Sequence, residues 1–428
     1  MQDETYLKLS QLRSYIDGLD DQIVRLLVWR LAAVKQVGHL KEQTQVGEDR
    51  IQFYQPAREQ AIYNRLSHAA ERLTLSELLV EDPSQLAFDV ERELNAFLQA
   101  HEAKDQLQGP LLTREGIEQI YQEIISYSIS QEQRQTMAYL GPAGTFSHQA
   151  AMQMFGSSAR ALACNTIGQV VHAVEDGDTM YGVIPFENTV SGIVGISFDM
   201  LVQATGLHIV RETRVSVQHC LAGRADLDWT QIDWRSVSRI YSHPQSFMQC
   251  QHWLDKYVPH AHCEPVDSNA RAAELIASEE DTDALQLCIA PVPAAKQYGL
   301  HILLSSIQDV RNNQTRFICL GQHEVPPLGS MALELYRTAL LVSAPDRPGA
   351  LGKILQIFQD NRINLTALHS RPNTSNTSRQ WSFYLEAEGH KSQPHWQQAL
   401  EQLEEQCFLT RIFGSYPPDD SSPPEGAK

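Results

Sequence analysis

The sequence predicts a multidomain protein: an all-α helical domain, then an α/β domain, then a small α+β domain of ferredoxin-like order. Three observations carry that reading. The 428 residues amount to two to four domains at roughly 100 to 200 residues each. Up to residue 135 the apolar residues recur at helical spacing, whereas from Met137 short β-rich runs alternate with helical stretches. Residues 338–415 read strand, helix, strand, strand, helix, strand.

In chain order, Leu9, Leu12, Ile16, Leu19, Ile23 and Leu26 step by threes and fours through a Pro-free stretch from about Thr5 to Lys41. That is an a/d seam, so one long helix with a helical partner is expected. A second helix starts near Pro56, and a third runs from Thr113, its N-cap, to about Gln133. Asp82-Pro83-Ser84 opens a further amphipathic piece through Leu86, Val90, Leu94 and Phe97. In the second domain (137–321), MAYLG, YGVIPFE, RIYSH and LCIAP read as strands. A linker, HEVPPLGSM, precedes the third domain, whose strands are TALLVSA, INLTALHSRP, RQWSFYLEAEG and a last one, with helices over Pro348–Asn361 and Pro394–Gln406. Residues 416–428, YPPDDSSPPEGAK, are expected to be a disordered tail.

Composition excludes several classes. A formal charge of −18 argues against nucleic acid or anionic membrane as a partner. No apolar run approaches membrane-spanning length, and the N-terminus lacks a signal pattern. Seven cysteines without a C-x-x-C pair fit a reducing cytoplasm rather than a disulfide framework. The histidines show no metal-ligand spacing, so no metal is expected.

Arg30 and Lys41, eleven residues apart, share a helix face at about 16 Å and can clasp a small anion. Arg13 lies about 26 Å before Arg30 on that helix, so only an antiparallel partner helix brings an Arg13 to the same place. In the second domain four polar turns follow or precede strands: GPAGTFSH (141–148), PFENTVSG (185–192), YSHPQSF (241–247) and NNQTRF (312–317). The glycine-rich turn offers backbone N–H groups at a helix start, which suits a carboxylate. It lacks the P-loop and dinucleotide patterns. Together the turns indicate a crevice between two α/β lobes. His243, before a proline, is a rival general acid or a structural residue.

L-R-x-x-I-x-x-L-D from Leu12, Arg30, V-G-x-x-K at 37–41 and F-Y-x-P-x-R-E at 53–59 resemble the helical chorismate mutase family. The resemblance implies a pericyclic rearrangement of chorismate to prephenate, with no cofactor, driven by restraint and positive charge. It places the partner chain's Arg13 and this chain's Arg30 on the substrate carboxylates and Lys41 on the ether oxygen. It makes Arg58 a support, Glu59 the acceptor of the ring hydroxyl, and sets Ser128 and Glu132 over the pocket. A Glu132 that must donate when protonated implies activity falling as pH rises through its pKa. Gln55 and the insertion at about 70–108 depart from the family pattern.

The four turns, in their order, resemble the prephenate dehydratase family across 137–321. That implies two lobes like those of periplasmic binding proteins and a reaction that expels carbon dioxide and hydroxide to give phenylpyruvate. The resemblance assigns Thr315 to assist the leaving hydroxyl, Asn188 and Gln245 to position the substrate, and Thr145, Ser147, Glu187 and Thr189 to line the pocket. Arg316 is a candidate carboxylate partner, with a structural salt bridge as the alternative.

DRPGALGKIL and LHSRP resemble the ACT regulatory domain of these enzymes. Gly349, Ala350, Leu351, Ser370, Arg371 and Pro372 are thereby expected at a phenylalanine site, with His369 standing where the family has glutamate. Together the resemblances imply a homodimeric, cytoplasmic bifunctional enzyme without cofactors. Two alternatives stay open: a dehydratase whose helical domain only dimerises, and a non-catalytic amino-acid sensor.

Overall fold

The computed structural model describes residues 15, 17–30, 56–72, 113–132, 135–224, 233–278, 285–327, 333–372 and 380–419. The chain divides into two compact units, Met1–Arg134 and Gln135–Lys428.

In the first unit the described helices are α1 (17–30), α2 (Pro56–Arg72) and α3 (Arg114–Glu132). Thr113 caps α3 as its sequence position demands: its hydroxyl accepts from Gly116 N at 3.1 Å and its carbonyl from Ile117 N at 3.0 Å. α2 packs on α3, with Tyr63, Ile117 and Ile125 buried between helices. On α1, Ile23, Val24, Leu26, Val28 and Trp29 remain more than half exposed. The seam read from the sequence is thus not filled by this unit's own described residues. The Asp82–Phe97 piece and the flanks of the first helix lie outside the described residues.

The second unit holds three sheets. The first lobe runs β1 (Thr136–Leu140), α4 (Phe146–Phe155), β2 (Arg160–Cys164), α5 (Ile167–Glu175), β3 (Tyr181–Asn188), β4 (Gly192–Ile193), α6 (Gly195–Gln203) and β5 (His208–Ser216). The chain then passes through 217–219 into a second lobe. Its elements are β6 (Cys220–Gly223), β7 (Val237–Ser242), α7 (Pro244–Gln249), α8 (Gln251–Tyr257), β8 (His262–Pro265), α9 (Asn269–Ser278), β9 (Leu285–Ala290), α10 (Val292–Gln297) and β10 (His301–Leu304). It returns through 305–313 into β11 (Gln314–Gly321), which completes the first sheet. The sheet orders are β2-β1-β3-β11-β5, with β4 on β3, and β10-β6-β9-β7-β8. Two crossings between two mixed sheets make the two-lobed α/β architecture.

The last sheet, β13-β14-β12-β15, is antiparallel. It is built from β12 (Arg337–Pro345), α11 (Ala350–Asp360), β13 (Leu365–Pro372), β14 (Gln380–Glu388), α12 (Pro394–Gln406) and β15 (Leu409–Tyr416), the ferredoxin-like order. The run TALLVSA is apolar at successive positions, the pattern of a strand covered on both faces. Leu340 and Val342 pack with Ile354, Phe358 and Trp396 of the two helices. Leu341, Tyr384, Phe413 and Tyr416 pack instead with Phe186, Phe198 and Leu201 of the first lobe. Each large apolar side chain so buried contributes about 1.5 to 3 kcal/mol, so this small domain shares a core with the lobe.

Two boundaries differ from expectation. α11 starts at Ala350, two residues after Pro348, because Gly349 takes φ +84°, a left-handed conformation that caps rather than continues a helix. The tail expected from 416 begins later. Tyr416 is fully buried in β15, and the Asp419 carboxylate accepts from Arg214 N at 2.6 Å and Thr213 Oγ1 at 3.1 Å. Residues 420–428 lie outside the described residues.

Candidate active sites and effector cavity

β1 and β3 are parallel neighbours, so their carboxyl ends share one edge of the first sheet. β11 runs antiparallel to β3 and opens at that edge, pairing Thr315 with Asn188. In the second lobe β7 and β9 are parallel, so the turns after Ser242 and Ala290 also share an edge. The lobes meet there: a Cβ on Gly144, which has φ +86°, would come within 3.1 Å of Ala294 Cα on α10. The crevice therefore lies at the carboxyl ends of strands, where open α/β sheets bind ligands.

Asn188 is the hub of this edge. Its Nδ2 donates to Thr315 Oγ1 at 3.0 Å, to Asn313 Oδ1 at 2.8 Å and to Gln314 O at 3.1 Å. Its Oδ1 accepts from Val190 N and Ser191 N at 3.0 and 3.1 Å, which folds the turn after β3. With Thr315 Oγ1 accepting from an amide, its own O–H can still rotate and donate to a ligand. Thr189 closes the same knot, its hydroxyl accepting from Gln314 N at 3.0 Å. Asn313, 2% exposed, also belongs to the site; NNQTRF contains it, but no local pattern singles it out.

Thr145 caps α4: its hydroxyl donates to Pro142 O at 2.9 Å and accepts from His148 N at 3.3 Å. The Gly144 N–H goes to His148 Nδ1 at 3.1 Å, so that one is already committed rather than offered to an anion. Ser147 is buried in the first turn of α4. On the opposite lobe Gln245 is exposed at the start of α7. His243 accepts there from Gln245 N at 3.2 Å through Nδ1, a capping role. Asn269 Oδ1 receives Ser242 Oγ, His243 N and Ser246 Oγ, each at 3.0 Å, and fixes this turn.

Two expected pocket residues point elsewhere. In β3 and β11 successive side chains alternate faces, so Asn188 and Thr315 share the crevice edge while Glu187 and Arg316 turn toward the last sheet. Arg316, 2% exposed, meets Glu386 of β14 through two hydrogen bonds of 2.8 and 2.7 Å, and Glu212 of β5 at 3.0 Å. Its Nε stands 3.3 Å from Glu187 Oε2. Arg316 therefore takes the structural salt-bridge alternative, and Glu187, expected to line the pocket, stands with it in this seam, because the ACT sheet supplies a carboxylate on that face.

Burial alone would raise the Glu386 carboxyl, but Arg316 first and Arg337 next hold it below the usual carboxylate range. A carboxyl so depressed adds stability that is full above its unfolded value, about 4.3, and is lost as pH falls through the lowered one. In thermal unfolding at decreasing pH, the wild type should lose Tm more steeply below about pH 4 than Glu386→Gln does.

In the first unit Arg30, half-buried on α1, donates from Nη1 to Ser128 Oγ on α3. Ser128 in turn donates to Ile124 O at 2.6 Å. Burial lowers the Arg30 pKa, partly offset by Tyr121, and the guanidinium stays charged. Glu59 is buried on α2, whereas Arg58 is exposed. Arg13, Lys41, Gln55 and the Glu132 side chain lie outside what the structure describes.

A cavity of about 360 Å³ opens in the last domain, lined by Gly349, Ala350, Leu351 and Ser370, all expected, and by Asp346, Trp381 and Phe383 among others. Neither Trp381 nor Phe383 carried a sequence signal beyond strand pattern, since β14 meets the cavity through its pairing with β13 and β12, which are distant in the chain. Arg371, the neighbour of Ser370, faces the other way. It stands 3.5 Å from Asp199 and 5.3 Å from the Phe198 ring centroid on α6, which corrects its expected place at the effector. Pro372 ends β13, and its side chain lies outside the described ones. Among the described residues no group of three or more potential metal ligands is present, and no helix is long and apolar enough to cross a membrane.

Family models match in the same order: chorismate mutase type II over 12–133, prephenate dehydratase over 137–325 and ACT domain over 338–405. The bifunctional chorismate mutase/prephenate dehydratase of Aquifex aeolicus is 32% identical, covering 96% of this chain and 98% of its own. That of Neisseria gonorrhoeae is 33% identical, over 95% and 96%. The prephenate dehydratase of Arthrobacter aurescens, crystallised with L-Phe, is 30% identical with a TM-score of 0.58, covering 67% of this chain and 92% of its own. Matched along nearly its whole length and in all three domains, the chain belongs to the bifunctional chorismate mutase/prephenate dehydratase family.

Proposed function

We propose that the chain converts chorismate to prephenate in its helical unit and prephenate to phenylpyruvate in the two-lobed domain, under feedback by phenylalanine at the ACT cavity. The observation that carries the second step is the Asn188–Thr315 pair at the crevice edge. Loss of the ring carboxylate as carbon dioxide leaves its electron pair in the ring. The ring hydroxyl departs as that pair arrives, and one proton makes it water. Thr315 donates its hydrogen bond to the departing oxygen, Asn188 holds Thr315 in that orientation, and Gln245 from the facing lobe positions the substrate, with Thr145, Ser147 and Thr189 around it.

For the first step Arg30, held by Ser128, receives a substrate carboxylate. Lys41 and Glu132 serve the ether oxygen, Glu59 the ring hydroxyl, and Arg13 arrives from a second copy. The exposed Ile23, Leu26 and Trp29 supply the apolar face that such a dimer covers. Burial pushes the Cys220 and Cys250 thiols up to about 11 and about 12, so neither is a thiolate nucleophile. Seven unpaired cysteines suit a cytoplasmic enzyme.

One preparation assayed for chorismate loss and phenylpyruvate appearance, with and without phenylalanine, tests the whole reading. Both activities and inhibition are expected. Phenylalanine binding without turnover would establish a sensor instead, and dehydration without mutase activity a helical scaffold. At the cavity, phenylalanine should change tryptophan emission saturably, and Trp381→Phe should remove most of that change.

A further inference from the structure

The cage around Arg316 joins two domains at one residue's remove from Thr315. On one side are Glu187 of β3 and Glu212 of β5, and on the other Glu386 of the ACT sheet. Arg337 of β12 adds a second cation, 2.7 Å from Glu212. Tyr384 donates to Glu386 Oε1 at 2.6 Å, and the Arg316 guanidinium lies over the Phe186 ring at 5.3 Å. Of the carboxylates in the cage, only Glu386 grips both terminal nitrogens of Arg316.

Such a cage is an expensive way to join two surfaces, since well-packed apolar side chains hold a seam at least as well. What it adds is geometry. A bidentate guanidinium–carboxylate pair fixes direction as well as distance. Here it fixes the residue whose backbone continues directly into Thr315, at the open end of β11. Thr315 has its other restraint from Asn188, itself adjacent to Glu187.

We propose that Glu386, on the ACT sheet, is a positioning residue for the dehydration step: by clamping Arg316 it holds Thr315 at the angle the departing hydroxyl requires. This deepens the dehydratase reading and rests on it. The regulatory domain is then a structural part of the catalytic crevice.

Glu386→Gln is the test. It keeps the shape of the side chain and takes the cage from three carboxylates to two, Glu187 and Glu212, facing two guanidiniums, so no unpaired positive charge is left buried. Dehydratase kcat should fall about tenfold to a hundredfold, the scale of displacing a reacting group by about 1 Å, with KM nearly unchanged. Mutase kcat in the same protein should not change. The decisive comparison is Thr315→Ala with and without Glu386→Gln. If Glu386 acts through Thr315, the double variant is no slower than Thr315→Ala alone, whereas a merely structural role gives additive losses. Should Glu386→Gln fold poorly, Glu386→Asp, which keeps the charge but shortens the reach, enters the same comparison. Wild-type kcat in Glu386→Gln, or additive losses, would overturn the proposal. A wild type that never forms phenylpyruvate would instead overturn the dehydratase reading beneath it.

Discussion

Thr315→Ala should lower dehydratase turnover by about 10²- to 10⁴-fold, the range of a lost acid–base contribution, while mutase turnover on the same chain stays as it was. Aromatisation supplies the driving force, so the barrier lies in expelling hydroxide, a poor leaving group without a hydrogen-bond donor at the oxygen. Thr315 is half-buried at the opening of β11, and its hydroxyl oxygen is held by an amide donor on Asn188. Alanine removes the donor and one acceptor of Asn188 Nδ2, while Asn188 keeps Asn313 Oδ1 and Gln314 O and the strand keeps its pairing with β3 and β5. Thr315→Ser, which retains the hydroxyl, should recover much of the rate. Steady-state assays on prephenate check this, and a rate within threefold of wild type (roughly 0.7 kcal/mol) would remove Thr315 from the chemistry.

Arg30→Ala should cost mutase turnover about 10²- to 10³-fold, the loss typical of removing one preorganised group that faces developing charge. The pericyclic reaction offers no covalent handle, so fixed cations and confinement are the catalytic means available. Arg30 is already oriented by Ser128, which is itself tied to Ile124 O. That preorganisation is lost with the guanidinium. Arg30→Lys should rescue poorly, because an ammonium lacks the planar fork that can hold Ser128 and a carboxylate together. Ser128→Ala should be milder, since the charge remains. Dehydration of supplied prephenate is the internal control, and intact mutase turnover in Arg30→Ala would refute the assignment.

Much of this was legible in the residues. Thr113 announced a helix start, TALLVSA a strand, and the polar turns after MAYLG, YGVIPFE and RIYSH a crevice at strand ends. Asn188 and Thr315 were legible as neighbours only through resemblance, because a pairing across 127 residues leaves no local pattern. Glu187 was misplaced, and the two roles of Arg316 left open, for a related reason. Period two says that they face away from Thr315 and Asn188, but not what lies on the far side. The same holds for Arg371, one residue from the cavity-lining Ser370.

The amino-acid order by itself determined the domain succession, the element types and the turns that carry the sites, since periodicity, caps and turn residues act over a few positions. Tertiary structure alone decided which layer covers each sheet face. That layer is set by packing between segments far apart in the chain, here the ACT sheet laid on the first lobe. It turned a basic residue beside the crevice into the centre of an ion cage.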